Sequence, residues 1–278
     1  MAEYAEISWG DAPPRAWRRA FQGLPIPAWR WYARVPSTQD AAWAWVAQGA
    51  VEGVLVAARE QTAGRGRAGR RWFAAADASL ALSVVARPFQ DETPWLSRYT
   101  AWAALAMAEA LAAWGLDVQL KWPNDLWLCG HKVGGVLVEV RWSAARVEAA
   151  VLGVGVNLRP EAVPPRDWLD VPAGSLAELA GVSISAPQLA AAFWRAWARW
   201  RVHLPTRAWV RAWEARLAFR GRRVRVTSQG RTWLGVLQGL SPQGALVVRT
   251  AQGMRTFWHI DRLRLAEPDE GRADPPCS

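Results

Sequence analysis

The 278-residue chain is 51% hydrophobic and 21% charged, with 34 Lys plus Arg against 24 Asp plus Glu for a net charge of +10, which excludes a disordered chain and allows one sizeable core or a large and a small domain. No run approaches the ~18–20 apolar residues of a membrane span, and the start MAEYAEISWGDAPPR lacks a basic region leading into an apolar one, so a soluble, cytoplasmic protein is expected. The basicity fits nucleic acid, an anionic substrate or only a solvated surface, while two distant cysteines and three scattered histidines suggest neither a disulfide framework nor a metal cluster.

Residues 1–30, with Pro13, Pro14, Pro25 and Pro27, read as an irregular lead with room for one short helix. RWYARV follows as a strand, and Ser37 or Thr38 caps a helix over DAAWAWVAQ that stops at Gly49. VLVAARE is a short strand leading into the glycine-rich TAGRGRAGRRW; SLALSVVAR is again strand-like, and WLSRYTAWAALAMAEALAAW is a long helix ended by Gly115. From Val118 to Leu158 the character is β, in VQLKW, LWLC, KVGGVLVEVRW and RVEAAVLGVGVNL, with a tight hairpin at Cys129-Gly130. Strands in succession without intervening helices predict an α+β fold: a mixed, largely antiparallel sheet backed by helices. Two helices follow near 187–203 and 206–218, and Trp194, Trp197 and Trp200 at helical spacing are expected in the core or facing a partner. After Gly221, RRVRVTS, RTWLGVLQGL, GALVVRT and RTFWHI are short strands suited to a small β-barrel domain over 220–266, and the tail 267–278 reads as disordered.

GRGRAG at 64–69 matches a dinucleotide-binding fingerprint only literally, because it runs through RRWFAAADA into another strand and not into a helix. Its glycines instead make a mobile loop whose backbone can approach a ligand, while Arg65, Arg67 and Arg70 supply forked donors for carboxylate or phosphate; a solvated flexible turn is the plainer alternative. The stretch KWPNDLWLCGHK at 121–132 stands out by composition. Lys121 and Lys132 are the chain's only lysines, all other Lys-or-Arg positions being arginine, and Asn124 shares the asparagines with Asn157 alone. A general bias toward arginine explains the replacement elsewhere but not the survival of these two ammonium groups.

Taken together, EQTAGRGRAGRRW, KWPNDLWLCGHKVGGVLVE and GVGVNL closely resemble the biotin protein ligases, from about Ser37 through Leu158 and more loosely into the C-terminal strands. The resemblance implies a class II aminoacyl-tRNA-synthetase-like catalytic domain over 31–219, a C-terminal SH3-like barrel, and joining of biotin to ATP as biotinyl-5'-AMP before transfer to one lysine of a biotin carboxyl carrier protein. It implies that Ser37, Thr38, Gln39 and Gln61 meet the biotin head, that Arg65, Gly66 and Arg67 close over the activated carboxyl, and that Trp72 covers the ligand. Lys132 would lie between the biotin carboxylate and the α-phosphate, and Gly134, Gly135, Gly153 and Gly155 would lie where strands press against the ligand. Arg65, Arg67, Arg70, Asn124 and Asn157 would serve the nucleotide. Asp125 would hold Mg²⁺, through water or directly, help deprotonate the acceptor lysine, or simply cap its turn; Lys121 would organise the strand end or touch a phosphate. Only about 36 residues precede Ser37, too few for a winged helix, so no sequence-specific DNA binding is expected; the assembly is a monomer or homodimer. A lipoate or octanoate ligase or transferase, and an Arg-rich nucleic-acid module, are the competing functions.

Overall fold

Proline and glycine punctuation sets the limits of the elements. The structure, a computed structural model, describes residues 10–88, 97–143 and 146–266; the tail expected over 267–278 lies outside them. In chain order the larger part carries α1 (Arg15–Phe21), β1 (Trp29–Tyr32), α2 (Thr38–Ala47), β2 (Leu55–Ala58), β3 (Ser79–Ala86), α3 (Ser97–Ala112), β4 (Gln119–Lys121), β5 (Asp125–Leu128), β6 (His131–Ser143), β7 (Arg146–Asn157), α4 (Leu176–Ala180), α5 (Ala186–Trp200) and α6 (Ala208–Ala215). Ser37, and not Thr38, is the N-cap of α2: its side chain accepts from the Gln39 backbone N–H. Cys129 and Gly130 adopt φ of 48° and 76°, the pair of positive values that a two-residue hairpin turn needs.

The strands form one seven-stranded sheet in the order β1-β2-β3-β7-β6-β5-β4. Only β1 and β2, joined across α2, are parallel; every other pairing is antiparallel. This is the expected mixed, largely antiparallel sheet. Alternation along β2 sends Leu55 and Ala57 into the main core and Val56 and Ala58 into a second cluster with Trp43 and Val46 of α2. Helices α3 and α5 cover one face, and α2 covers part of the other, over β2, β3 and β7. The rest of that second face is left open for a ligand.

On the covered face the alanine-rich α3 lets α5 approach closely. Trp102 is 0% exposed, stacks on Trp197 with ring centroids 4.3 Å apart, and donates its indole N–H to the Trp197 carbonyl at 2.7 Å. Trp194 is buried beside it, while Trp200 donates to Glu109 at 2.7 Å, so these tryptophans serve the core as expected.

The C-terminal strands are β8 (Arg223–Ser228), β9 (Arg231–Leu240), β10 (Leu246–Thr250), β11 (Gly253–Phe257) and β12 (Arg262–Leu265), an antiparallel sheet in the order β11-β10-β9-β8-β12. Two elements, α4 and β12, are additions to the sequence reading. The sheet is seated on the larger part: Trp122 donates to the Gly244 carbonyl at 3.0 Å, and Glu214 of α6 accepts from the Leu240 N–H at 2.9 Å. That docking carries Arg262 and Arg264 to the edge of the open face.

Truncating Trp102 to alanine removes both the stacked ring and its buried hydrogen bond. Stability is expected to fall by about 3–5 kcal/mol, read as a lower urea midpoint; an unchanged midpoint would contradict this packing.

Candidate active site

Strand register builds the floor of the open face. Asp125, Gly135, Gly155 and Ala81 lie opposite one another across β5, β6, β7 and β3, and Leu137, Gly153 and Ser83 form the next row. Directly opposed residues share a face, so the floor is lined by small residues with one carboxylate at its β5 end. Above it is a cleft of about 880 Å³ reaching from Ser37, Thr38 and Gln39 at the α2 end to Lys121, Lys132 and Arg264 at the other.

The α2 end is a buried polar cluster. Gln61 accepts from the Thr38 backbone N–H at 2.8 Å and from its hydroxyl at 3.1 Å. Ser83 Oγ lies 2.8 Å from Thr38 Oγ1 and 2.9 Å from Gln39 Oε1, and the Gln39 amide donates to the carbonyls of Leu137 and Val151 at 3.4 Å each. Thus Ser37, Thr38, Gln39 and Gln61 do converge. Ser83, absent from the sequence reading, completes the cluster; its signal was a serine inside an otherwise apolar strand. Such a network in low dielectric holds its members in fixed orientations.

At the other end both lysines meet one carboxylate. Lys132 Nζ is 2.6 Å from Asp125 Oδ1, and Lys121 Nζ is 3.6 Å from Asp125 Oδ2. Burial pushes the Lys121 pKa below the ordinary lysine value; Asp125 opposes that shift, while Lys132 and Arg264 reinforce it. The Lys121 ammonium also lies 4.9 Å from the Trp127 ring centroid. Asn124 donates to the Val136 carbonyl at 2.9 Å and accepts from Arg67 at 3.3 Å. Burial lowers the Arg67 pKa, with Asp125 opposing and Arg70 adding to the effect; an arginine stays charged regardless.

The glycine-arginine loop is a closed hairpin here. Gly66 N–H donates to the Arg70 carbonyl at 2.7 Å and Trp72 N–H to the Gly64 carbonyl at 2.8 Å. Its three arginines separate by partner. Arg65 is tied to Asp40 of α2 at 2.6 Å and to Glu139 of β6 at 3.2 Å, and Trp43 donates to the same Glu139 at 2.8 Å. Burial alone would lower the Arg65 pKa, but the two carboxylates outweigh it and leave the pKa raised. Arg65 is therefore the loop's anchor, a role its expected contact with the activated carboxyl did not include. Arg67 alone points toward Asn124 and the lysines, while Arg70 turns outward, 3.5 Å from Asp170.

The glycines divide as well. A Cβ on Gly155 would fall 2.6 Å from two atoms of the Trp72 indole, and one on Gly153 would fall 3.1 Å from the Gln39 side chain. These two glycines thus admit the protein's own side chains. Gly135 faces Lys132 across the floor, whereas a Cβ on Gly134 would meet Leu126 and the Gly155 backbone on the core side. Asn157 is 3% exposed; its amide donates to the Gly174 carbonyl at 3.1 Å, and its Oδ1 has no partner, like the buried Trp72 indole N–H. No group of three or more His, Cys, Asp or Glu side chains is placed to hold a metal among the described residues.

Residues 31–157 match the Biotin/lipoate A/B protein ligase family, and residues 219–257 match the Biotin protein ligase C terminal domain. A biotin--[acetyl-CoA-carboxylase] ligase of Paracoccus denitrificans is 34% identical over 73% of this chain and 86% of its own length. The chain belongs to the biotin protein ligase family. A bifunctional ligase/repressor BirA of Bacillus spizizenii is 30% identical to this ligase over 82% of the chain and 71% of the relative. The biotin protein ligase of Aquifex aeolicus, solved in complex with biotin and ATP, shares the fold with a TM-score of 0.74 at 24% identity, over 86% of this chain and 99% of that one.

If Glu139 and Asp40 hold the loop through Arg65, Glu139→Gln opens it more often. Trypsin is expected to cut after the loop arginines about tenfold faster, because proteolysis tracks the open population; mass mapping of early fragments checks it, and wild-type cleavage rates would remove the anchor.

Proposed function

We propose that this cleft performs both steps of ATP-dependent biotin ligation, with the two ends of the sheet floor dividing the substrate between them. Biotin activation as biotinyl-5'-AMP and transfer to a carrier protein are the activity of this ligase; the assignment of its residues is our reading. The buried cluster of Thr38, Gln39, Gln61 and Ser83 exchanges its internal hydrogen bonds for those of the ureido head, whose one carbonyl and two N–H groups need both donors and acceptors. The observation that carries the reading is that the only two lysines in the chain flank one carboxylate at the far end of the same floor.

In the first step the biotin carboxylate attacks the α-phosphate and pyrophosphate leaves. Two anions approach, and further negative charge gathers on the phosphoryl oxygens. Lys132, with Arg67 above it, stabilises that charge more than the separated reactants, which is the form of binding that accelerates the step. Asp125 holds the Lys132 ammonium in place until the substrates arrive. Asn157 Oδ1, an acceptor without a partner, suits the amino group of adenine. In the second step the acceptor amine attacks the acyl carbonyl and AMP leaves; fixed orientation of the mixed anhydride supplies most of the advantage.

The side chains do not fit a metal held by the protein. Asp125, expected to bind Mg²⁺, is committed to two cations, and replacing them with a divalent ion would leave both unpaired. No step is therefore assigned to Mg²⁺ on this carboxylate. We read the C-terminal sheet as an SH3-like barrel curled around Val224, Val226, Leu237, Leu246 and Val248, all fully buried. The carrier protein would approach the cleft mouth between that unit and the glycine-arginine loop. Among the described residues no helix is long and apolar enough to cross a membrane.

Lys132→Arg keeps the charge but puts a wide planar fork where a compact ammonium sits against Gly135. Biotin-dependent exchange of pyrophosphate into ATP is expected to fall about 100-fold to 1,000-fold with an unchanged melting temperature. Wild-type exchange would refute the role of Lys132, and exchange driven by lipoate in place of biotin would refute the substrate.

A further inference from the structure

The exposed end of the glycine-arginine loop meets two segments that no motif links to it. Asp170 sits in the wall segment between β7 and α4. Its Oδ2 is 3.5 Å from Arg70 Nη1 of the loop, and its Oδ1 is 3.7 Å from Arg262 Nη2 of β12. The second Arg70 Nη donates to the Asp261 backbone carbonyl at 3.4 Å. One carboxylate thus joins the loop, the wall and the C-terminal unit, three separate borders of the cleft. The wall itself continues into the site: Lys132 N–H donates to the Pro172 carbonyl at 2.8 Å, and Gly174 N–H donates to the Lys132 carbonyl at 3.1 Å. Asp170 is two residues from the backbone that fixes Lys132.

We propose that Asp170 is a positioning residue whose clasp on Arg70 and Arg262 keeps the acyl-adenylate in the cleft until the acceptor amine arrives. This rests on the biotin ligase reading above. Arg65 secures the loop at its inner end, so the tip that carries Arg67 moves only if the outer end is released. Opening the outer end frees the loop from both the wall and the C-terminal unit, at the place where these three borders of the cleft meet. The side chains of Arg70, Asp170 and Arg262 are 53%, 41% and 60% exposed, so each pair is individually weak and screened by salt. A clasp of this kind yields to a docking protein more easily than a buried pair would, and an acceptor that presents its own acidic groups competes for the same arginines.

The test forms labelled biotinyl-AMP on the enzyme, chases with unlabelled biotin, and times the appearance of the labelled adenylate in solution. Asp170→Asn keeps the shape and removes the charge; release is expected to be about threefold to tenfold faster. Arg262→Gln should also speed release, and the double variant should release no faster than the faster single one, because both break one clasp. Raising the salt concentration should speed release from the wild type and leave Asp170→Asn nearly unchanged. Equal release rates, additive effects of the two substitutions, or the same salt dependence in both proteins would overturn the clasp. Failure of the wild type to form any biotinyl-AMP would instead overturn the activity on which it rests.

Discussion

The site depends on a carboxylate shared by two ammonium groups. Asp125 lies between Lys121, which is 6% exposed, and Lys132, and it neutralises one of their two charges. What remains is a net positive charge fixed at the end of the sheet floor, prepared before any anion arrives. Removing the carboxylate would leave two cations facing each other, the situation in which breaking a buried pair costs about 3–5 kcal/mol. At Lys132 an arginine would carry the charge on a wider planar head that cannot occupy the same point beside Asp125 and Gly135, which accounts for a lysine there in a chain that otherwise uses arginine.

Other parts of the site support that charge from a distance. The small residues of β3, β6 and β7 keep the floor flat enough for a ligand to reach it, and the glycines admit Trp72 and Gln39 to the cleft. Arg65, Arg67 and Arg70 do different jobs although they share one short loop: the first anchors the loop, the second faces the reacting atoms, and the third reaches the outer wall. The C-terminal sheet, docked through Trp122 and Leu240, brings Arg264 close enough to act on Lys121. A single electrostatic centre therefore receives contributions from both ends of the chain.

The local features of this arrangement were readable from the sequence. Periodicity and punctuation located the strands, the Cys129-Gly130 hairpin and the capped helix after Pro36, and the scarcity of lysine and asparagine pointed to the cleft. Long-range pairing was not readable. Glu139 lies 74 positions from Arg65, and Asp40, the lone acidic residue of α2, reads as an ordinary first-turn carboxylate; only the neighbouring of α2 and β6 brings them to the same guanidinium. The sequence likewise could not tell that Gly134 faces the core while Gly135 faces the cleft, since that depends on the bulge in the β5–β6 register between Leu126 and Trp127. The fourth helix, the twelfth strand and the wall around Asp170 are short and have no periodic signal, so tertiary contacts define them.

Because the chain contains only two lysines, their ammonium groups can be observed directly. Lysine-specific ¹³C and ¹⁵N labelling would give two side-chain signals to follow against pH by NMR. One, from Lys121, should titrate below the ordinary lysine range, since burial disfavours its charged form. Replacing Asp125 with asparagine removes the charge that opposes this shift, so the titration should move lower still, with both signals changing position. A Lys121 signal that titrates in the ordinary lysine range and is indifferent to Asp125→Asn would contradict the shared-carboxylate centre.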